Sequence, residues 1–201
     1  PPGEGVFYST DFMGTVGPEW SNATVSTTPV GNRACLGEFS NDAVTLTILG
    51  MPPHSSVTVT TKLFIIATWD GNEGGPDLWT SRVVGGPTLI NTTFANATHS
   101  QAYPGWYPGP SYPRKTGAIE IDSLGFGRVD GEAVYSIQSS FSHFDAGVQI
   151  SYEASGLEGV GNESWGLDRV AVSIATSDQD GDGVGDACDN CPTVPNTTQS
   201  D

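Results

Sequence analysis

Ala43-Val-Thr-Leu-Thr-Ile-Leu49 and Ser56-Val-Thr-Val-Thr-Thr-Lys-Leu-Phe-Ile-Ile66 flank the corner Met51-Pro-Pro-His54 and decide the fold of this chain. Apolar residues alternate with Thr in both runs, the period of a strand with one buried face. The second run becomes wholly apolar towards its end. The Pro-Pro corner reads as a tight, hairpin-like connection between two long strands. Working outward, further Val-, Ile-, Thr- and Phe-rich runs lie at 6–12, 20–28, 33–39, 77–84, 88–94, 117–122, 132–141, 146–152 and 168–174. Gly, Pro, Asn and Asp separate them, and no stretch sustains a helical period. Strands this short, this frequent and this evenly spaced predict an all-β, two-sheet β-sandwich of jelly-roll type. The expected organisation is a linker or processed end at 1–5, the sandwich at 6–176 and an irregular, acidic C-terminal tail at 177–201.

The chain has 201 residues, with 23 Asp and Glu against 7 Lys and Arg, a net charge of −16. So acidic a surface cannot neutralise phosphates, which excludes nucleic acid as a partner and disfavours anionic membranes. No apolar run approaches the length of a membrane-spanning helix, so no membrane insertion is expected. The charge favours divalent cations instead.

The tail holds the most ordered pattern. Asp178, Asp180, Asp182, Asp186 and Asp189 fall at positions 1, 3, 5, 9 and 12 of a loop, with Gly183 at position 6. Val184 at position 7 offers its backbone carbonyl. Alternate oxygens of a tight loop suit a hard cation that takes six to eight of them, which points to calcium. Without a cation the carboxylates repel one another, and the bland alternative is an acidic, flexible tail. Cys188-Asp-Asn-Cys191-Pro192 extends the pattern, and the span from Asp178 to Asp201 resembles a thrombospondin type 3 repeat. The resemblance implies extracellular calcium binding, with disulfides joining one repeat to the next. Asn196-Thr-Thr-Gln-Ser-Asp201 reads as the lead-in to another repeat.

More diffusely, residues 5–175 are similar to the galactose-binding-type jelly rolls of large extracellular bacterial proteins. Phe7-Tyr-Ser-Thr-Asp-Phe12, Trp69-Asp-Gly-Asn72, Pro76-Asp-Leu-Trp79 and Glu163-Ser-Trp-Gly-Leu-Asp-Arg-Val-Ala-Val172 carry it. It implies that an early strand and the last strand are neighbours, with a structural calcium close by. Asp11 and Asp168 are the carboxylates expected there; the alternative is a pair of ordinary surface aspartates.

Two segments suit a sugar. Asp70, Asn72, Glu73 and Asp77, following Trp69, form an oxygen-rich loop that would hydrogen-bond hydroxyls, hold calcium, or simply turn the chain. Tyr103, Trp106, Tyr107 and Tyr112 lie in a Pro- and Gly-stiffened stretch, 102–113. Exposed, these rings would stack on sugar faces or meet another subunit; folded back, they would cover the sandwich.

Signs of catalysis are thin. His54, His99 and His143 lack metal-ligand spacing, and no nucleophile elbow exists. The chain is therefore expected not to be an enzyme. Sequons at Asn22, Asn91, Asn96, Asn162 and Asn196 suggest a secreted glycoprotein. Cys35, Cys188 and Cys191 are an odd set. Cys35 is expected to pair with Cys188 or Cys191, or between subunits; otherwise it is a buried free thiol in a strand.

The leading expectation is a non-catalytic extracellular or cell-surface module, a calcium-stiffened structural or adhesive block that meets copies of itself or neighbouring modules. The alternative is a carbohydrate-binding module of a larger secreted protein, with glycans as partners.

Overall fold

The structure, a computed structural model, describes residues 4–176, 180–182, 184–186 and 189–199. Among the described residues thirteen strands form: β1 (Glu4–Thr10), β2 (Val25–Thr27), β3 (Ala34–Phe39), β4 (Ala43–Leu49), β5 (Ser56–Ala67), β6 (Leu78–Val83), β7 (Thr88–Thr93), β8 (Ser100–Gln101), β9 (Tyr112–Pro113), β10 (Glu120–Ile121), β11 (Glu132–Ser142), β12 (Gly147–Ser155) and β13 (Glu163–Ala175). Among the described residues no helix is long and apolar enough to cross a membrane.

The strands make a two-sheet jelly-roll β-sandwich. The larger sheet runs β10-β11-β5-β13-β3-β2, and β1 joins it along β13; the smaller runs β4-β12-β6-β7. Every pairing is antiparallel. The last strand holds the larger sheet together. β5 follows one side of it for its whole length, while β3 and then β1 share the other. First and last strands are therefore neighbours, as expected.

The Pro52-Pro53 corner is not a hairpin. It carries the chain from β4 in the smaller sheet to β5 in the larger. Both flanking strands must present an apolar face to the same core, and crossing between sheets lets them do so. The expected strand at 20–28 shrinks to Val25–Thr27, with Trp20 bridged to Leu46 instead. That at 117–122 shrinks to Glu120–Ile121.

Alternation places Val57, Val59, Leu63 and Ile65 of β5 in the inter-sheet core with Trp165, Leu167, Val170, Val172 and Ile174 of β13. Trp79 sits at the centre, its ring 6.1 Å from that of Tyr152 and 6.3 Å from those of Phe94 and Trp165. The run that turns wholly apolar does so because its outer face is covered too. Phe64 and Ile66 pack with Cys35, Val134 and Leu124 in a second, smaller core under the 123–131 segment.

Both edges of the smaller sheet are masked. Tyr103 and Tyr107 donate their backbone N–H groups to Thr93 and Asn91 of β7, at 3.2 and 2.8 Å. Ser21 N–H reaches Thr45 of β4 at 2.9 Å, and Thr47 N–H returns to Glu19 at 2.8 Å. Such coverage removes the row of unpaired groups that invites strand addition.

Candidate functional site

At one end of the sandwich three connections converge: 68–77 after β5, 94–99 after β7, and 102–119 around β9. Gln101, wholly buried, ties them together. Its Oε1 accepts the N–H groups of Ala95 and Lys115, and its Nε2 donates to Tyr103 and Thr116 carbonyls. Gly71 makes the close approach possible. It has φ +70°, and a Cβ there would lie 2.1 Å from the Ser100 carbonyl oxygen, so no other residue fits. Asn72 then reaches across, donating to Ser111 Oγ at 3.0 Å and accepting from Thr93 Oγ1.

These loops enclose an open cleft of about 420 Å³ lined by Glu73, Thr98, His99, Ser100, Pro113 and Arg114. His99 Nδ1 lies 3.0 Å from Asp70 Oδ1. An ionised carboxylate only accepts, so Nδ1 donates to Asp70, while Nε2 lies 4.0 Å from Glu73. Arg114 Nη1 donates to the Asn96 carbonyl at 2.9 Å, which fixes one prong of the guanidinium. The cleft thus offers planar, multi-pronged hydrogen-bonding groups on a braced frame. No nucleophile–base pair is assembled in it: His99 faces two carboxylates.

The residues singled out for a sugar divide. Trp69 is buried and donates its indole N–H to Ser164. Asp77, 2% exposed, accepts the Asp70 N–H. Tyr103 packs on Phe94 and Tyr135, at 5.0 and 5.1 Å. These three hold the frame rather than face solvent. Asp70 and Asn72 are half-buried and position the cleft from beneath. Of the aromatic loop, Trp106 stands out, 49% exposed, while Tyr107 is half-buried along β7. Sequence reasoning passed over His99, Ser100 and Arg114 as site residues. The one available signal was a scarce arginine at the end of an aromatic loop.

Beneath the cleft lie two buried acids. Burial raises Asp77 to about 6, with the charge of Asp70 adding to it. Burial also raises Glu163, 1% exposed, to about 7, helped by Asp77, Glu158 and Asp70.

In the tail, carboxylate oxygens of Asp180, Asp182 and Asp189 lie within 4.8 Å of one another. Asp182 accepts from Val184 N–H at 2.8 Å and Asn196 N–H at 2.7 Å, closing the loop on itself. Asp189 Oδ1 accepts from Cys191 N–H at 2.8 Å, and its Oδ2 is buried with no hydrogen bond. A buried anionic oxygen beside two more carboxylates fits a hard cation. Asp186 is described but lies outside this trio, and Asp178, Gly183 and Cys188 lie outside the described residues.

Asp11 and Asp168 are not brought to a common purpose. Asp168 sits at a register shift in β13, and its carboxylate is taken by Arg33 at 2.7 Å. Asp11 is exposed and accepts from Met13 N–H. Neither does the structure contain the expected disulfide from Cys35. Among the described residues that thiol is free and wholly buried in the second core, and Cys191 is free as well. Among the sequons, Asn96 is buried and spends its amide N–H groups on Ile65 and Ala67 carbonyls, so the folded chain cannot present it to a sugar transferase. Asn91 is half-buried with its amide donating to Tyr107. Asn162 is exposed; Asn22 and Asn196 are partly so.

Residues 176–199 match the thrombospondin type 3 repeat. No curated protein matches the chain. Among solved structures, the chain is similar to a carbohydrate-binding module from Cellvibrio mixtus lichenase 5A in complex with cellotriose, at 14% identity and a TM-score of 0.40, covering 86% of this chain and 99% of the module. It is similar to the CBM22-1 xylan-binding domain of Paenibacillus barcinonensis Xyn10C at 10% identity and 0.43, covering 88% and 99%. It also resembles an exo-β-1,3-galactanase from Phanerochaete chrysosporium, at 16% identity and 0.38, but spans only 28% of that chain. The assignment of the fold rests on strand order and register, not on these likenesses.

Proposed function

We propose that this chain is a non-catalytic glycan-binding sandwich, spanning 6–176, followed at 177–201 by a calcium-binding spacer repeat of an extracellular protein. The cleft of Glu73, His99, Ser100 and Arg114 carries the reading. Sugar hydroxyls are paired donors and acceptors. They are best met by planar side chains held in advance, so that little freedom is lost on binding. The Asp70–His99 and Asn72–Ser111 contacts hold this frame. Trp106 adds an exposed ring on the same connection, a surface for an apolar sugar face.

The wild-type chain is expected to bind oligosaccharides on a glycan array, and Arg114→Ala to weaken the best of them roughly tenfold while the melting temperature stays put. Unchanged affinity in Arg114→Ala would sink the assignment of this cleft. Self-assembly has less in its favour, because both edges of the smaller sheet are covered. Light scattering should find the same monomer in calcium and in EDTA; an assembly dissolved by EDTA would return the reading to a structural subunit.

A further inference from the structure

No Lys, Arg or His follows Arg169 in the chain. Two carboxylates of the tail are held by neutral amides instead, and all of these lie on the arm that follows the acidic loop, 190–199. Gln199 is the centre of that arm. Its side-chain Oε1 accepts the backbone N–H of Asn190 at 2.8 Å, and its carbonyl accepts Asn190 Nδ2 at 3.2 Å. A backbone N–H only donates, so the amide oxygen must face it and Nε2 turns the other way. There Nε2 donates to Asp189 Oδ1 at 3.2 Å and to Asn196 Oδ1 at 3.1 Å. Asn196 completes the set: its backbone N–H reaches Asp182 Oδ2 and its Nδ2 reaches Asn190 Oδ1, both at 2.7 Å. Gln199 has φ +54°, left-handed backbone that a non-glycine residue seldom adopts, and these contacts hold it there.

We propose that Gln199, with Asn190 and Asn196, is a clasp that positions the calcium ligands Asp182 and Asp189, acting from 10 residues beyond Asp189. The inference rests on the reading of 177–201 as a calcium-binding repeat and adds residues outside its acidic pattern. A carboxylate can turn about its bond to the chain and exchange its two oxygens. Asp189 Oδ1 is held by two donors, Cys191 N–H and Gln199 Nε2, so Oδ2 is the oxygen left buried, without a hydrogen bond, in the group with Asp180 and Asp182. An oxygen aimed in advance loses little freedom when it meets a cation. Neutral amides suit this task better than Lys or Arg. They orient a carboxylate and leave its charge for the metal, whereas a cationic side chain would cancel that charge and compete for the same oxygens. The clasp also couples the arm to the loop. Calcium that draws Asp182 and Asp189 together brings Asn196 and Gln199 with them, so binding and the fold of 190–199 favour one another.

The test is calorimetry of the full chain with calcium chloride, on wild type, Gln199→Met, Thr198→Ala and Asp182→Asn. Gln199→Met keeps the length of the side chain and removes both of its hydrogen-bonding ends; Thr198 is exposed on the same turn and serves as the control. Calcium affinity is expected to fall roughly tenfold or more in Gln199→Met and to stay put in Thr198→Ala. A second readout is taken at saturating calcium, where excess metal restores an arm that is merely loosened. There the carboxyl-carbon resonance of Asp189 should still be displaced in Gln199→Met, with the melting of the sandwich unchanged. Wild-type affinity in Gln199→Met beside a weakened Asp182→Asn would overturn the clasp and leave the calcium site standing. An unmoved Asp189 resonance would overturn it too, reducing Gln199 to a prop for the arm. Absence of calcium binding in the wild type would defeat the calcium reading itself, and the clasp with it.

Discussion

Glu163→Gln should stabilise the sandwich at pH 8 and leave it unchanged at pH 4. Burial, aided by Asp77, Glu158 and Asp70, raises the Glu163 carboxyl from 4.5 to about 7, and Asp77 from 3.8 to about 6. Folding thus disfavours the ionised forms. The contribution of these two groups is therefore greatest with both protonated, below about pH 4, and is lost as pH rises through about 6 and then 7. Above that, Glu163 costs on the order of 2 kcal/mol. Gln keeps the shape and an oxygen to accept the Glu158 N–H, which Glu163 Oε2 now takes at 3.0 Å. The variant should therefore melt roughly 4–8 °C higher at pH 8. The general repulsion of a chain at −16 acts in the same direction in both proteins, so the difference between their pH curves is the readout. Parallel curves would contradict the account.

Asp182→Asn should weaken calcium binding to the tail about 100-fold and loosen residues 180–199, leaving the sandwich's own melting intact. Asp182 does two things at once. Its carboxylate belongs to the Asp180–Asp182–Asp189 trio, and its two oxygens accept the N–H groups of Val184 and Asn196. An amide removes a charge and turns an N–H towards a backbone N–H, so one closing contact is lost. Calorimetry with calcium measures the first effect and hydrogen exchange the second. Unaltered calcium affinity would rule out this trio as the site.

Much of the fold was legible because it is local. Alternation fixes which faces of β4 and β5 are apolar, and both strands fall where the pattern put them. The Pro52-Pro53 corner misleads, since sheet membership depends on β12 and β13, a hundred residues further along. The site was less legible for the same reason. Trp69, Asp77 and Tyr103 have the chemistry of a sugar site, but a buried ring or carboxylate and an exposed one look alike in sequence. His99 acquires its role only by meeting Asp70, 29 residues away. The tail is the opposite case. Its carboxylates lie within a dozen residues, so spacing alone draws Asp180, Asp182 and Asp189 together, whereas Asp186 is not in the group. Of the two readings of Cys35, the buried thiol in a strand is the one the structure shows, enclosed by Phe64, Ile66 and Leu124; which of the two it would be depends on residues distant in sequence.

Chemical-shift mapping on the calcium-saturated chain, titrated with a panel of neutral and acidic oligosaccharides, tests the central claim most directly. A saturable ligand that perturbs Glu73, His99, Ser100 and Arg114, with Trp106 following, is the predicted result. Perturbation confined to other surfaces, or no response to any sugar in the panel, would contradict it.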